Sequence, residues 1–234
     1  MSNTAKTRSR RTDRTARRTE RREALLETAI ACIRREGPDA SMDEIAAEAG
    51  VTKPIVYRYF RHKADLYDAI AVRYTESVAA DVRKALRRKD PRESLRAGID
   101  AYIRLVDRDT EIYRFLMQRA RLSRVSDDGP VENFMRRLGD EIGLVLGERL
   151  RQLGLDSGPA EVWGHAIVGT VSASVDWWVE RRVLPRRRLV QYLTDLLWTG
   201  MSRGVSLDLD VRTAVSEPEE RESGADVVPL RRRR

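Results

Sequence analysis

Apolar residues recur with a helical period along almost the whole chain. Leu25, Leu26, Ala29, Ile30 and Ile33 share one face of a helix predicted over about 21–36, which Gly37-Pro38 stops. Met42, Ile45, Ala46 and Ala49 follow at i, i+3, i+4 and i+7. Ser41 and Glu44 flank the start of that helix with the spacing of a capping box, and Gly50 ends it. Thr52 offers a second N-cap, Pro54 is tolerated in a first turn, and Val56, Tyr59 and Phe60 give the next helix a buried side. From 63 to 88, Leu66, Ile70, Tyr74, Val78, Val82 and Leu86 repeat every four residues, which predicts one long helix. Asp90-Pro91-Arg92-Glu93 opens another, with Leu95, Ile99, Tyr102, Ile103 and Val106 inward. Tyr113, Phe115, Leu116 and Met117 belong to a further helix. Ser126 to Gly129 reads as a loop, and Pro130 opens a helix ending near Gly154.

The next helix, from Pro159 to about Arg182, has a different pattern. From Val162 to Val175 it carries no Asp, Glu, Lys or Arg, in a chain that is 35% charged. A helix apolar on every side is covered on every side. One face meets its own domain and the other is expected to meet a second subunit, with Gly164, Gly169, Ser172 and Ala173 allowing close approach. Pro185 starts the last helix, apolar at Leu189, Val190, Leu193, Leu196, Leu197 and Met201. Two such helices from each of two chains make a four-helix dimer interface. The absence of alternating strand-like runs makes the whole chain all-α.

Within 41–63, Lys53, Ile55, Tyr57 and Arg58 point away from the buried side of the second short helix. Two helices joined by a Gly-containing turn, with basic and aromatic residues outward, form a helix-turn-helix arrangement. Of 45 Lys and Arg residues only five are lysines, Lys6, Lys53, Lys63, Lys84 and Lys89, and two of them bracket this helix. That placement suits a site that uses a compact point charge.

Residues 22–70 resemble the DNA-binding domain of TetR-type (tetracycline-repressor-like) transcriptional regulators. The resemblance rests on Thr52-Lys53-Pro54-Ile55-Val56-Tyr57-Arg58-Tyr59-Phe60, followed by Lys63, Leu66 and Ile70. Beyond residue 70 it rests on length and helix count. It implies an N-terminal helix-turn-helix domain, a C-terminal helical domain for effector binding and dimerisation, and a homodimer that reads a palindromic double-stranded operator. Lys53, Pro54, Ile55, Tyr57 and Arg58 then occupy positions facing bases and nearby backbone, and Thr52, Tyr59 and Lys63 sit near phosphates. Lys53 and Arg58 can donate to guanine and Ile55 can touch a thymine methyl. Some members carry a basic residue early in the first motif helix. This chain has Asp43 there, so base reading from that helix is not expected.

Charge sharpens the division of the chain. Residues 1–24 carry nine Lys and Arg against three Asp and Glu, a net of +6 out of the formal +8. Residues 1–19 have almost nothing apolar and are expected to be a disordered basic arm that follows phosphates or enters the minor groove. The expected domains are therefore 1–19 as arm, 20–65 as the DNA-binding domain, 66–205 as the effector and dimerisation domain, and 206–234 as a disordered charged tail. No apolar stretch approaches transmembrane length, so no membrane partner is expected. A single cysteine, Cys32, excludes an internal disulfide and fits a cytoplasmic, reducing setting.

The sequence holds no catalytic constellation: there is no P-loop and no GxGxxG, and Gly200-Met201-Ser202-Arg203-Gly204 fits GxSxG only as a string, inside the last predicted helix with no strand before it to form a nucleophile elbow. One cysteine and two histidines without paired spacing argue against a structural zinc site. No enzyme activity, metal or cofactor is expected. The resemblance implies instead a small-molecule pocket in the second domain. Tyr74, Tyr102, Tyr113, Phe115, Met117, Phe134, Leu138, Trp163, His165 and Trp177 are its candidate lining, although each could equally be ordinary core. No charge cluster is set among them, so a hydrophobic or lipid-like effector fits best. The overall expectation is a repressor released from its operator by such an effector. Two alternatives stay open: a sequence-tolerant DNA-architectural protein, and a small-molecule binding protein or enzyme retaining a vestigial helix-turn-helix.

Overall fold

A computed structural model describes residues 3–122 and 129–216. Nine helices and no strand lie among the described residues. They are α1 (Asn3–Glu36), α2 (Met42–Glu48), α3 (Lys53–Tyr59), α4 (Lys63–Leu86), α5 (Pro91–Arg108), α6 (Thr110–Leu122), α7 (Pro130–Gln152), α8 (Ala160–Arg181) and α9 (Arg186–Ser216). The all-α fold, with an N-terminal helix-turn-helix and a C-terminal helical domain, is therefore as expected.

Local chemistry explains most boundaries. The capping box forms: the Glu44 amide donates to Ser41 Oγ at 3.2 Å and the Ser41 amide to Glu44 Oε2 at 2.6 Å. Gly50 takes φ +61°, so the chain can turn between α2 and α3 in a conformation that costs other residues more. Asp90 accepts from the Glu93 amide at 2.7 Å, and Pro91 occupies N1 of α5. His62 caps α4, its Nδ1 accepting from the Asp65 amide at 3.1 Å.

Two ends differ from expectation. The region expected as a disordered arm is continuous with α1, which begins at Asn3 rather than near Arg21. No Gly or Pro falls between residues 3 and 36, and Arg and Ala favour helix, so nothing local stops the helix from extending. Likewise α9 runs to Ser216, past the tail boundary expected at 206, because no proline intervenes before Pro218. Residues 217–234, with the four terminal arginines, and most of the expected loop at 126–129 lie outside the described residues.

The helices enclose two apolar cores. The first gathers α1, α2, α3, the start of α4 and much of α6 around Phe60, Ile33, Ile45, Leu66 and Ile70. The second gathers the rest of α4 with α5, α7, α8 and α9 around Ile103, Val106, Val175 and Trp178. At 24 residues α4 is about 36 Å long, and it threads both cores. Leu66, Tyr67, Ile70, Ala71 and Tyr74 face the first; Val78, Ala79 and Val82 face the second. α7 and α8 cross closely. A Cβ on Gly164 would lie 2.4 Å from the Gly139 carbonyl oxygen and 2.6 Å from the Gly143 nitrogen, so this crossing requires glycine. Gly164 therefore serves contact within the chain, not the approach of a second subunit.

Candidate DNA-reading head and effector cavity

α3 is held by its inward side chains. Val56 and Phe60 are buried, and the Arg22 guanidinium of α1 lies 4.8 Å from the centre of the Phe60 ring. The opposite side carries Thr52, Lys53, Pro54, Ile55, Tyr57 and Arg58, all exposed. Ile55 is 39% and Tyr57 38% accessible, although burial of such side chains favours folding. Thr52 is the N-cap by position, but its hydroxyl makes no capping bond; its carbonyl receives the Ile55 and Val56 amides. The expected side-chain cap is therefore absent. Tyr59 is half-buried against the first core, and Lys63 sits beside Phe115, with Nζ 5.9 Å from the ring centre.

Lys53 does not stand alone. Its ammonium donates to Asp43 Oδ2 at 2.7 Å across the α2–α3 turn, and that hydrogen bond raises its pKa. Asp43 thus acts on the reading helix through Lys53. Along α1, Arg14, Arg17, Arg18 and Arg21 are exposed at a spacing that puts them on one helical face.

The second domain contains two small apolar cavities. The larger, about 70 Å³, is lined among others by Val82, Leu95, Ile99, Leu138, Ile167 and Val171. The smaller, about 30 Å³, is lined by Tyr74, Val106, Asp109, Tyr113, Met117 and Phe134, among others. Tyr102 and Met135 border both. Of the candidate lining, Tyr74, Tyr102, Tyr113, Met117, Phe134 and Leu138 do border a cavity.

The other four border neither of these two cavities. Phe115 packs into the first core, 5.8 Å from the Tyr67 ring, because α6 turns that face toward α1. Trp163 lies against the Gly204 position of α9, and Trp177 is 41% exposed. His165 is exposed on α8, with Nε2 3.0 Å from Asp140 Oδ1. Asp140, Glu161 and His165 bring potential metal ligands within 4.8 Å of one another, a grouping that sequence spacing did not reveal because Asp140 comes from α7. All three are exposed, and His165 and Asp140 already bond each other.

Sequence reasoning also missed Asp109. It is buried at the α5–α6 junction beside the smaller cavity, and its carboxylate accepts from Arg34 Nε at 2.7 Å and Arg108 Nε at 2.9 Å. Burial pushes its pKa up, but the hydrogen bonds from the two guanidinium groups outweigh this and hold it below the usual carboxylate range. Arg34 also donates to the Tyr74 hydroxyl at 3.0 Å.

A short helix packed across a glycine turn onto a second, outward-facing basic and aromatic helix, carried on a helical domain, defines a helix-turn-helix DNA-binding protein. The family profile described as "Bacterial regulatory proteins, tetR family" matches residues 25–70, and that for the "Tetracyclin repressor-like, C-terminal domain" matches 81–208. An uncharacterized HTH-type transcriptional regulator of Mycobacterium tuberculosis is 35% identical over 184 residues, covering 78% of this chain and 77% of that protein. The HTH-type transcriptional activator FasR of Mycolicibacterium smegmatis is 30% identical over 191 residues, covering 79% and 84%. Among solved structures, a tetR-family regulator from Streptomyces coelicolor superposes with a TM-score of 0.63 at 24% identity, over 86% of this chain and 91% of that one. FadR from Bacillus subtilis, solved in complex with stearoyl-CoA, gives 0.59 at 17% identity, over 75% and 96%. The chain belongs to the TetR family of DNA-binding transcriptional regulators.

Proposed function

We propose that the protein binds a palindromic operator as a homodimer and leaves it when an apolar small molecule occupies the helical domain. The observation that carries this reading is the outward face of α3. Ile55, Tyr57 and Arg58 stand exposed while Val56 and Phe60 fix the helix from behind. Exposed apolar and aromatic groups beside cations suit contact with base edges and thymine methyls. Lys53 and Arg58 are the guanine donors, Pro54 approaches the backbone, and Thr52, Tyr59 and Lys63 lie toward phosphates. The arginine face of α1 supplies sequence-independent attraction as a helical extension of the head.

The dimer reading is supported by a stripe that folding leaves uncovered. Val162, 69% exposed, aligns on α8 with Ala166, Gly169, Ala173 and Trp177, and α9 exposes Tyr192 and Leu196. An apolar stripe over two helices matches half of a four-helix interface. It would set two α3 helices about one DNA turn apart. On this reading the working units are the DNA-binding head, about 20–65, and the effector and dimerisation domain, about 66–205.

The effector reading is supported by the apolar cavities, and the FadR structure shows that this fold can be solved with an acyl-CoA bound. Occupancy would act on the head through α4 and the Arg34–Asp109 pair. We take release from the operator to relieve repression. The activator FasR among the relatives favours a second reading, in which the operator lies where binding recruits transcription. Selecting bound sequences from random DNA tests the reading. The expected result is an inverted repeat for the wild type, with Tyr57→Ala and Arg58→Ala folded but at least tenfold weaker on it. Recovery of sequences without a common motif would favour an architectural role.

A further inference from the structure

The larger cavity is apolar almost all round, and its few polar wall groups can be accounted for one by one. Ser94 Oγ donates to the Ala85 carbonyl at 3.0 Å and Ser172 Oγ to the Gly169 carbonyl at 3.1 Å, so both hydroxyl protons are committed. Tyr102 is different. Its ring borders both cavities, its side chain is buried, and its hydroxyl makes no hydrogen bond. The Tyr113 phenol, which donates to Asp176 Oδ1 at 2.5 Å, lies close enough to influence the Tyr102 hydroxyl, but no hydrogen bond of normal geometry forms between the two phenols. A buried hydroxyl left without a partner is costly, and the cost is removed by anything that brings one.

The same walls limit what that partner can be. No Lys, Arg or His borders either cavity. Asp109 borders the smaller one, with its carboxylate oxygens held by Arg34 and Arg108, and Asp176 accepts from Tyr113. An anionic ligand head would find one hydrogen bond and no cation on the walls, since the nearby Arg34 and Arg108 guanidinium groups are already paired with Asp109. A neutral acceptor meets no such penalty. Burial pushes the Tyr102 phenol up, so it keeps its proton at neutral pH and remains a donor.

We infer that Tyr102 is the specificity-determining residue of the effector site, and that it selects an apolar molecule bearing a neutral carbonyl (an ester, thioester, lactone or ketone) over a free carboxylate. This deepens the effector reading above and rests on it. The apolar body lies in the larger cavity, and the carbonyl oxygen accepts from the Tyr102 hydroxyl, on a residue that lines both cavities. A site for a benzene-sized molecule has about 150 Å³, so a cavity of about 70 Å³ must open for a longer chain. Met135, unbranched and shared by both cavities, is the side chain placed to yield.

The test titrates the full-length protein with four matched probes, methyl octanoate, 2-nonanone, octanoate and nonane, read by calorimetry and thermal shift. The wild type should bind the ester and ketone at least tenfold more tightly than nonane or octanoate. Tyr102→Phe should bring the ester and ketone to within about twofold of nonane while leaving nonane unchanged, since losing one hydrogen bond is worth roughly tenfold. That variant removes an unpartnered hydroxyl, so its melting temperature should not fall, which separates lost selectivity from lost folding. A wild type that binds all three neutral probes equally would leave the cavity reading intact and overturn the role of Tyr102. So would tightest binding of octanoate, or a Tyr102→Phe protein that still prefers the ester. Failure of all four probes to bind the wild type would overturn both this inference and the assignment of the cavities to the effector.

Discussion

Arg34 of α1 and Asp109 at the α5–α6 junction are 75 residues apart in the chain and meet at 2.7 Å. The guanidinium is half-exposed, and the carboxylate is almost wholly buried. One partner belongs to the reading head and the other borders a cavity of the second domain, so the pair joins the two cores at a polar point.

Asp109→Asn keeps the shape and removes the charge. Hydrogen bonds to a charged group contribute about 2 kcal/mol, so the variant should melt roughly 4–8 °C lower at pH 7. The pH dependence has a definite sign. The folded-state pKa of Asp109 is depressed, so its contribution is complete above the unfolded carboxylate value and is lost as pH falls through the folded one. Wild-type stability should drop below about pH 4, and the variant should show a shallower drop. Parallel pH profiles for the two proteins, measured by denaturant melts, would show that the pair contributes nothing.

The α7–α8 crossing gives a second expectation. Alanine has the higher helix propensity, yet Gly164→Ala puts a methyl group 2.4 Å from the Gly139 carbonyl oxygen. Backbone must move, and such overpacking costs about 1–3 kcal/mol. A thermal melt checks it, and a variant more stable than wild type would mean that the helices do not cross this closely.

Asp43 should restrain DNA binding. It holds Lys53 by a 2.7 Å hydrogen bond and brings a negative charge toward the phosphates. Asp43→Asn should raise operator affinity a few-fold and steepen the salt slope by about one counterion. Fluorescence anisotropy at several salt concentrations reads both. An unchanged slope would place the pair outside the DNA interface.

The uncovered stripe of α8 and α9 can be tested by charge. Leu196, 63% exposed in the single chain, should tolerate glutamate for folding but not for association. Sedimentation at micromolar concentration should give a dimer for the wild type and a species near 27 kDa for Leu196→Glu. A wild type that sediments as a monomer would remove the dimer from the account.

The reading head was legible in the sequence because its signals are local. Ser41 with Glu44, Gly50 between the helices, and the inward Val56 and Phe60 lie within 20 residues of one another. The cavity was legible only in part. Periodicity places Phe115 on a buried face but cannot say which of two cores that face meets. Trp163 and Trp177 look like core residues by type, yet they lie toward the edge of the fold. Asp109 carried no signal of burial, since Arg108 beside it reads as ordinary surface charge and its second partner, Arg34, comes from α1. The N-terminal part of α1 lacks the apolar period that marks packed helices, so its extent depends on the absence of helix breakers, whereas Leu207, Val211 and Val215 continue a helical spacing past residue 206.

Operator discrimination tests the central claim most directly. The purified protein is titrated at physiological salt against DNA from immediately upstream of its own gene and against the same DNA scrambled. A preference of about a thousandfold or more is expected for specific recognition through α3. Equal, weak and salt-sensitive binding to both, from protein freed of any co-purified ligand and also tested against selected sequences, would contradict it.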